Sequence, residues 1–326
     1  MDSKSFTIKE FCDELGITKN QLLELAKNGS VPESSRDPDT NFRQFTVSDL
    51  PVYRGLLNIE PLIKKPQKQL FLNFKGGTGK TTISTSYAYR VAEMGYKTLL
   101  IDLDPQGHVA KCLGYDAENL NNTLYNVLIN KLSISSVIQH TTLETFDFIP
   151  SNLSLTPVEI SLVSKTNREW KIKKALQEIE GKYDLIVFDA PPNMGILNLN
   201  AILASDTIII PVLADFLSFH GLKILFETLS EIEEDFEFFL DSFILLNRYN
   251  ALQNISIESF EALKSNYSDY LLETVIRQDT KLAETSSYGK PIQQYLPSSK
   301  AAKDIQSLID EVFSIINSSG NGNSQK

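Results

Sequence analysis

Cysteine is nearly absent. The 326 residues contain only Cys12 and Cys112. Two distant thiols exclude a disulfide framework, a cysteine-rich metal site and an iron–sulfur cluster, and they suit a reducing cytoplasm. Histidine is almost as scarce: His108, His140 and His220 stand alone, without the spacing of a ligand set, and read as surface or structural residues. No apolar run approaches the roughly 20 residues of a membrane span. The opening MDSKSFTIKEF lacks the apolar core of a signal peptide. Positive charge is also short. Lys and Arg number 31 against 41 Asp and Glu, a net of −10, so the chain as a whole does not advertise nucleic-acid binding. The deficit is uneven. Residues 1–65 hold 9 basic and 10 acidic side chains, so the excess acid lies beyond them. Part of it is EIEEDFEFFLD (231–241), read as a solvated helix face and loop.

What is present divides the chain. In FTIKEFCDELGITKNQLLELAKNGS, Ile8, Phe11 and Leu15, then Leu22, Leu23 and Ala26, fit two short amphipathic helices around a GIT turn. A turn-rich stretch, a short aromatic strand and a third helix follow. This spacing predicts a winged helix-turn-helix domain over 1–57. Residues 58–68, with two prolines among polar and basic residues, read as a linker. From residue 69 to 316, apolar strands alternate with helical stretches, which predicts an α/β, doubly wound, mostly parallel sheet, and a glycine loop with Lys and Thr at 76–82 makes it of the P-loop NTPase type. The tail 317–326 reads as disordered.

The chemistry concentrates at NFKGGTGKTT (73–82). Strand, glycine loop and helix in that order make a phosphate-binding loop. Gly76, Gly77, Thr78 and Gly79 would bring backbone N–H groups to the phosphates, and the helix N-terminus would face them. Lys80 would reach the β- and γ-phosphates of ATP, the Thr81 hydroxyl would bind Mg2+, and Thr82 would contact the α-phosphate. The loop departs from G-x-x-x-x-G-K-[ST] at its start, where Phe74 replaces the first glycine and an extra Lys75 follows. Two acidic motifs close predicted strands: DLDPQG (102–107) and FDAPP (188–192). Asp189 follows LIVF as a Walker B aspartate does, and would hold Mg2+ through water. Asp102 and Asp104 lie on opposite faces of a regular strand, so at most one of them faces an attacking water.

These motifs carry a resemblance. KGGTGKTT, DLDPQG, FDAPPNMGILNLNAILASD, IIIPVLADFLSFHGL and ETVIRQDTKLAETSSYGKPI run in the order of the ParA family of partition ATPases, of the deviant Walker A class that includes MinD, over about residues 68–315. FTIKEFCDELGIT, GSVPESSRD and RQFTVSDL resemble the DNA-binding domains of the MerR family, as in the larger, plasmid-type ParA proteins. The resemblance implies a cytoplasmic, nucleoid-associated, Mg2+-dependent ATPase. Its ATP-bound homodimer would bind DNA without sequence preference and be stimulated by a ParB-like partner. A protein cargo, or an ATP-switched repressor, are the alternatives. A MinD-like membrane cycle is disfavoured, since the C-terminus lacks a basic amphipathic end. The resemblance further implies that Lys75 acts across the dimer on the partner's phosphates, that Asp104 is the hydrolytic aspartate with Asp102 its structural neighbour, and that Asn247 contacts adenine.

For DNA, residues 264–303 carry more basic than acidic side chains, and the resemblance points to Arg277, Lys281 and Lys300 as non-specific contacts. In the N-terminal domain Lys19 and Gln21 of the second helix, flanked by Arg36 or Arg43 of the wing, would meet an operator.

Overall fold

The computed structural model describes residues 5–32, 34–36, 40–120, 122–215 and 217–319. Most of the expected tail, 320–326, lies outside them. Its first three residues do not form a tail. Asn317, Ser318 and Ser319 continue the helix Lys300–Ser319, and the Asn317 amide donates to the Leu62 carbonyl at 3.0 Å.

Eleven strands are described. Ser5–Phe6 (β1), Ser35–Arg36 (β2) and Arg43–Thr46 (β3) form a small antiparallel sheet in the order β1-β3-β2. The other eight are Gln67–Phe71 (β4), Thr98–Asp102 (β5), Gln139–His140 (β6), Phe146–Ile149 (β7), Leu185–Asp189 (β8), Thr207–Leu213 (β9), Asp241–Tyr249 (β10) and Leu271–Arg277 (β11). They make one sheet ordered β11-β10-β9-β4-β8-β5-β7-β6, parallel throughout except for edge strand β6.

Period-two alternation explains why this sheet is covered on both faces. Leu70 and Leu72, Leu99 and Ile101 point into one apolar layer with the helices Ile196–Ala204 and Leu217–Phe236. Phe71 and Leu100 point into the other, against Ile83, Tyr87 and Val91 of the helix that follows the glycine loop, and Ile305, Leu308 and Val312 of the C-terminal helix. The carboxyl ends of β4, β5, β8 and β10 therefore open on one crevice.

Residues 5–57 fold into the small sheet and three helices, Ile8–Leu15 (α1), Lys19–Lys27 (α2) and Asp49–Leu56 (α3). Thr7 with Glu10, and Thr18 with Gln21, close reciprocal capping boxes that start α1 and α2. Phe11 stacks on Phe45 at 4.1 Å between centroids, with the Tyr53 ring edge-on.

The segment read as a linker is not a free tether. Ile63 is buried, Ile59 and Leu62 pack against the same core, and the Leu62 N–H donates to the Tyr96 hydroxyl at 2.7 Å. Its prolines and lysines suggested a polar spacer, but composition did not reveal that its three apolar side chains face inward. The N-terminal unit is consequently docked. Arg90, near the end of helix α4 (Lys80–Glu93), holds both oxygens of Glu14 of α1, at 2.7 and 3.1 Å. Glu93 adds a second carboxylate to Arg90 at 3.6 Å. At Gly95 (φ +85°) a Cβ would approach Leu50 within 2.9 Å, so α3 sits directly on the turn that ends α4. The Arg54 guanidinium lies over the Tyr96 ring, 4.9 Å from its centroid.

Arg90→Met keeps the aliphatic stem and strands Glu14 and Glu93. It should lower stability by about 2–4 kcal/mol in urea denaturation, and limited proteolysis should now release the N-terminal unit by cleavage between residues 58 and 66. Unchanged stability and cleavage pattern would show that the docking does not depend on Arg90.

Candidate active site at the glycine loop

The loop Gly76–Gly79 joins β4 to α4 and lines a crevice of about 870 Å3 with Lys80, Thr81, Thr82, Asp104, Pro191, Asn193, Arg248 and Ser286. Gly77 (φ +75°) and Gly79 (φ +94°) are left-handed. Gly79 is required twice, because a Cβ there would overlap the Asn247 carboxamide. Phe74, the departure at the start of the loop, packs its half-buried ring against the apolar layer of Leu70 and Leu72. It anchors the loop to the core from the position a glycine ordinarily holds.

The chemistry of the loop fits a phosphate chain. The buried Lys80 ammonium donates to the carbonyls of Asn73 (3.0 Å) and Lys75 (3.3 Å), which leaves a third donor over, and burial lowers its pKa, so an anion would stabilise it. Gly76 and Gly77 have open space where a Cβ would stand. The donor set of a magnesium site is also assembled. The Thr81 hydroxyl donates to Asp189 Oδ2 at 2.7 Å, and the Ser84 hydroxyl, one turn along α4, donates to Oδ1 at 3.0 Å. Sequence reasoning missed Ser84, whose i, i+3 spacing from Thr81 was the available signal.

Asp102 and Asp104 separate as a regular strand end predicts. Asp102 is fully buried beside Asp189, its cross-strand neighbour, and accepts the N–H groups of Asp104 (3.0 Å) and Val109 (3.2 Å). It shapes the loop that presents Asp104, which lines the crevice. Burial, then the Asp189 charge, raises the Asp102 pKa well above the usual range. Burial also raises Asp189, to about 6, against the hydrogen bonds from Thr81 and Ser84 that oppose it.

Lys75 immediately precedes the loop, and its ammonium bridges both oxygens of Asp215 at 3.0 and 2.9 Å. Asn247 is 3 % exposed and spans the protein itself. Its Nδ2 donates to the Thr78 carbonyl at 2.8 Å and its Oδ1 accepts the Arg248 N–H at 2.8 Å. It ties the end of β10 to the glycine loop, and it is Arg248, not Asn247, that lines the crevice.

The residues expected to face DNA fall into two groups. Arg277 is committed to Asp304, with Nε at 2.9 and 3.0 Å from its oxygens, and pins β11 to the C-terminal helix. Lys281 is paired with Glu284 at 2.9 Å on the helix Thr280–Tyr288, and Lys300 is exposed at the start of the C-terminal helix. In the N-terminal unit, Lys19, Arg36 and Arg43 line one surface hollow with the 75 % exposed Phe42. The Gln21 side-chain oxygen is turned back on the Thr18 N–H at 2.8 Å, because Gln21 closes the capping box. Among the described residues there is no group of three or more His, Cys, Asp or Glu side chains that could hold a metal ion, and no helix long and apolar enough to cross a membrane.

Comparison with known proteins extends this geometry. A family model described as an AAA domain matches residues 68–241. The chain is 46 % identical to the cell division protein PomZ of Myxococcus xanthus over 96 % of its own length and 94 % of that protein. It is 35 % identical to the sporulation initiation inhibitor protein Soj of Bacillus subtilis over 74 % of this chain and 95 % of Soj. Among solved structures, cobyrinic acid a,c-diamide synthase of Mycobacterium smegmatis with a bound ATP analogue and magnesium superposes with a TM-score of 0.68 and 26 % identity, covering 75 % of this chain and 93 % of that one.

The buried acid pair has a measurable consequence. Because the folded pKa of Asp189 lies above that of a free carboxylate, the stability tied to its proton is present below about pH 4 and lost as pH rises through about 6. Asp189→Asn without nucleotide should therefore melt above the unsubstituted chain at pH 8, with the difference shrinking at pH 5. A lower melting temperature at pH 8 would mean that the hydrogen bonds from Thr81 and Ser84 outweigh the cost of burying the charge.

Proposed function

We propose a function from one premise: the chain belongs to the ParA/Soj family of partition ATPases, ATP-binding P-loop proteins. ATP and Mg2+ are its cofactors, and membership implies ATPase activity. The observation that carries the reading furthest is the Thr81–Asp189 pair at the mouth of the glycine loop, with Asp104 across the same crevice. Gly76–Gly79 and Lys80 hold the phosphates, and Thr82 the α-phosphate. Thr81 would ligate Mg2+ directly and Asp189 through water, while Asp104 orients the attacking water. The metal supplies charge neutralisation at the β- and γ-oxygens.

Lys75 acts in trans. In the closed dimer it exchanges Asp215 for the partner's phosphates, adding positive charge where the transferring group needs it. The exposed apolar side chains Leu153 and Met194 support an interface there, since they stand three residues from Thr156 and next to Asn193 in the chain, both of which line the crevice. The ATP dimer binds DNA non-specifically through Lys281 and Lys300, and a ParB-like partner protein stimulates hydrolysis. The cargo favoured by likeness over 96 % of the chain to a protein named for cell division is a division-related protein assembly, rather than a plasmid. The N-terminal unit, with Lys19, Arg36 and Arg43 along one hollow, is a winged helix-turn-helix that contacts DNA.

Asp104→Ala should bind ATP, dimerise and remain on DNA. Lys75→Ala should bind ATP as a monomer and neither hydrolyse it nor gain DNA affinity. Each mixed dimer then has one complete site, so mixing the two should restore part of the ATPase rate. A mixture that stays inactive, although crosslinking shows abundant heterodimer, would exclude action of Lys75 in trans.

Lys281→Ala should weaken ATP-dependent binding to random DNA and reduce the slope of log affinity against log salt by about 0.9 for each DNA phosphate it ceases to neutralise. An unchanged slope would move the DNA face elsewhere.

A further inference from the structure

We propose that Arg248 is a base-recognition residue, its guanidinium lying against the purine ring of the bound nucleotide. This rests on the nucleotide reading of the crevice and adds a residue to it.

The direction of the nucleotide follows from strand order. The phosphate loop leaves β4, which is flanked by β8 on one side and by β9 and then β10 on the other. Asp189 ends β8, and Asp104 follows β5 beyond it. The metal and hydrolytic groups thus lie on the β8 side, and the γ-phosphate with them. A nucleotide with its phosphates on Gly76–Thr82 must extend the other way, toward β10. There the crevice is lined by Arg248, at the end of β10. That the end of β10 reaches the loop is shown by the bond from Asn247 to the Thr78 carbonyl.

Arg248 is held in an unusual way. Its backbone is left-handed (φ +55°), which is uncommon for a residue with a Cβ and is kept only where surroundings impose it. Here Asn247 Oδ1 accepts the Arg248 N–H, and the Tyr249 carbonyl accepts the Gln278 N–H at 2.8 Å, so both sides of the residue are fixed. Its guanidinium has no ion-pair or hydrogen-bond partner among the described residues, in a chain with ten more acidic than basic side chains. A planar cation without a carboxylate at the base end of the crevice suits the face of a purine, since guanidinium groups stack on aromatic rings and are weakly hydrated.

The test measures binding to the full-length chain by titration calorimetry with three ligands: Mg·ADP, Mg·GDP and magnesium tripolyphosphate. Arg248→Ala should weaken ADP about 5- to 10-fold, the worth of one such interaction, and leave tripolyphosphate within about 2-fold. Arg248→Lys should recover little, because an ammonium cannot stack. Arg248→Gly relieves the left-handed backbone, so it should melt no lower than the unsubstituted chain without nucleotide and still show the weaker ADP binding. Equal weakening for ADP and tripolyphosphate would make Arg248 a phosphate ligand, and no weakening for either would make it a bystander; both overturn the proposal. A GDP affinity that falls as ADP does marks an interaction with the ring face, and one that stays constant overturns stacking as its form. If the unsubstituted chain binds neither ADP nor tripolyphosphate, the nucleotide reading itself fails, a different outcome from any of these.

Discussion

The crevice depends on a carboxylate meeting the first turn of a helix. Asp189 ends β8 fully buried, and its two oxygens are taken by the hydroxyls of Thr81 and Ser84. Those bonds fix the start of α4 against the sheet, and so fix the position of the loop that precedes it. A second carboxylate, Asp102, stands in register on β5 and takes two N–H groups of the loop carrying Asp104. Two acids in a dry sheet end are costly to ionise: burial first, then the Asp189 charge, raises Asp102, and burial raises Asp189. Thr81 and Asp189 would hold a divalent cation, whose charge would offset the cost of keeping these carboxylates ionised in a buried place.

Helix α4 then carries the position of the glycine loop to the far side of the molecule. Its first turn holds Lys80 and Thr81, and its last turn holds Arg90, which grips Glu14 of the N-terminal unit. Since Arg90 and Glu14 are only 18 % and 15 % exposed, this pair is less screened than a surface ion pair. The N-terminal unit is thereby set at one angle to the nucleotide site. Two such units in a dimer would stand at one spacing, which is the condition for reading a two-fold DNA site.

The glycine loop, Asp189 and the parallel sheet were legible because their signals are local: a glycine pattern within a single loop and continuous apolar runs along each strand. Much of what escaped depends on pairings distant in sequence. Asn247 bonds to Thr78, 169 residues away, and no spacing rule connects them. The family resemblance assigned it to adenine; its carboxamide bonds to the loop and to the Arg248 N–H, and Arg248 lines the crevice. Arg277 looked free for DNA because Asp304 is 27 residues on and belongs to another element. Gln21 looked like a base reader, although the capping-box spacing from Thr18 already offered the competing use.

The extra lysine poses the last physical question, since a positive charge next to a phosphate loop should bind phosphate in its own chain. Asp215 prevents that by holding the Lys75 ammonium at 2.9 Å. Both side chains are about one-third exposed, so the pair is worth only about 0.2–1 kcal/mol. An anion of higher charge can compete with a carboxylate at that strength. In the proposed dimer, Lys75 would be kept off its own phosphates by an ion pair weak enough to yield to a second phosphate chain approaching from outside, and the departure from the ordinary glycine loop would then be a means of sensing another copy that has already bound nucleotide.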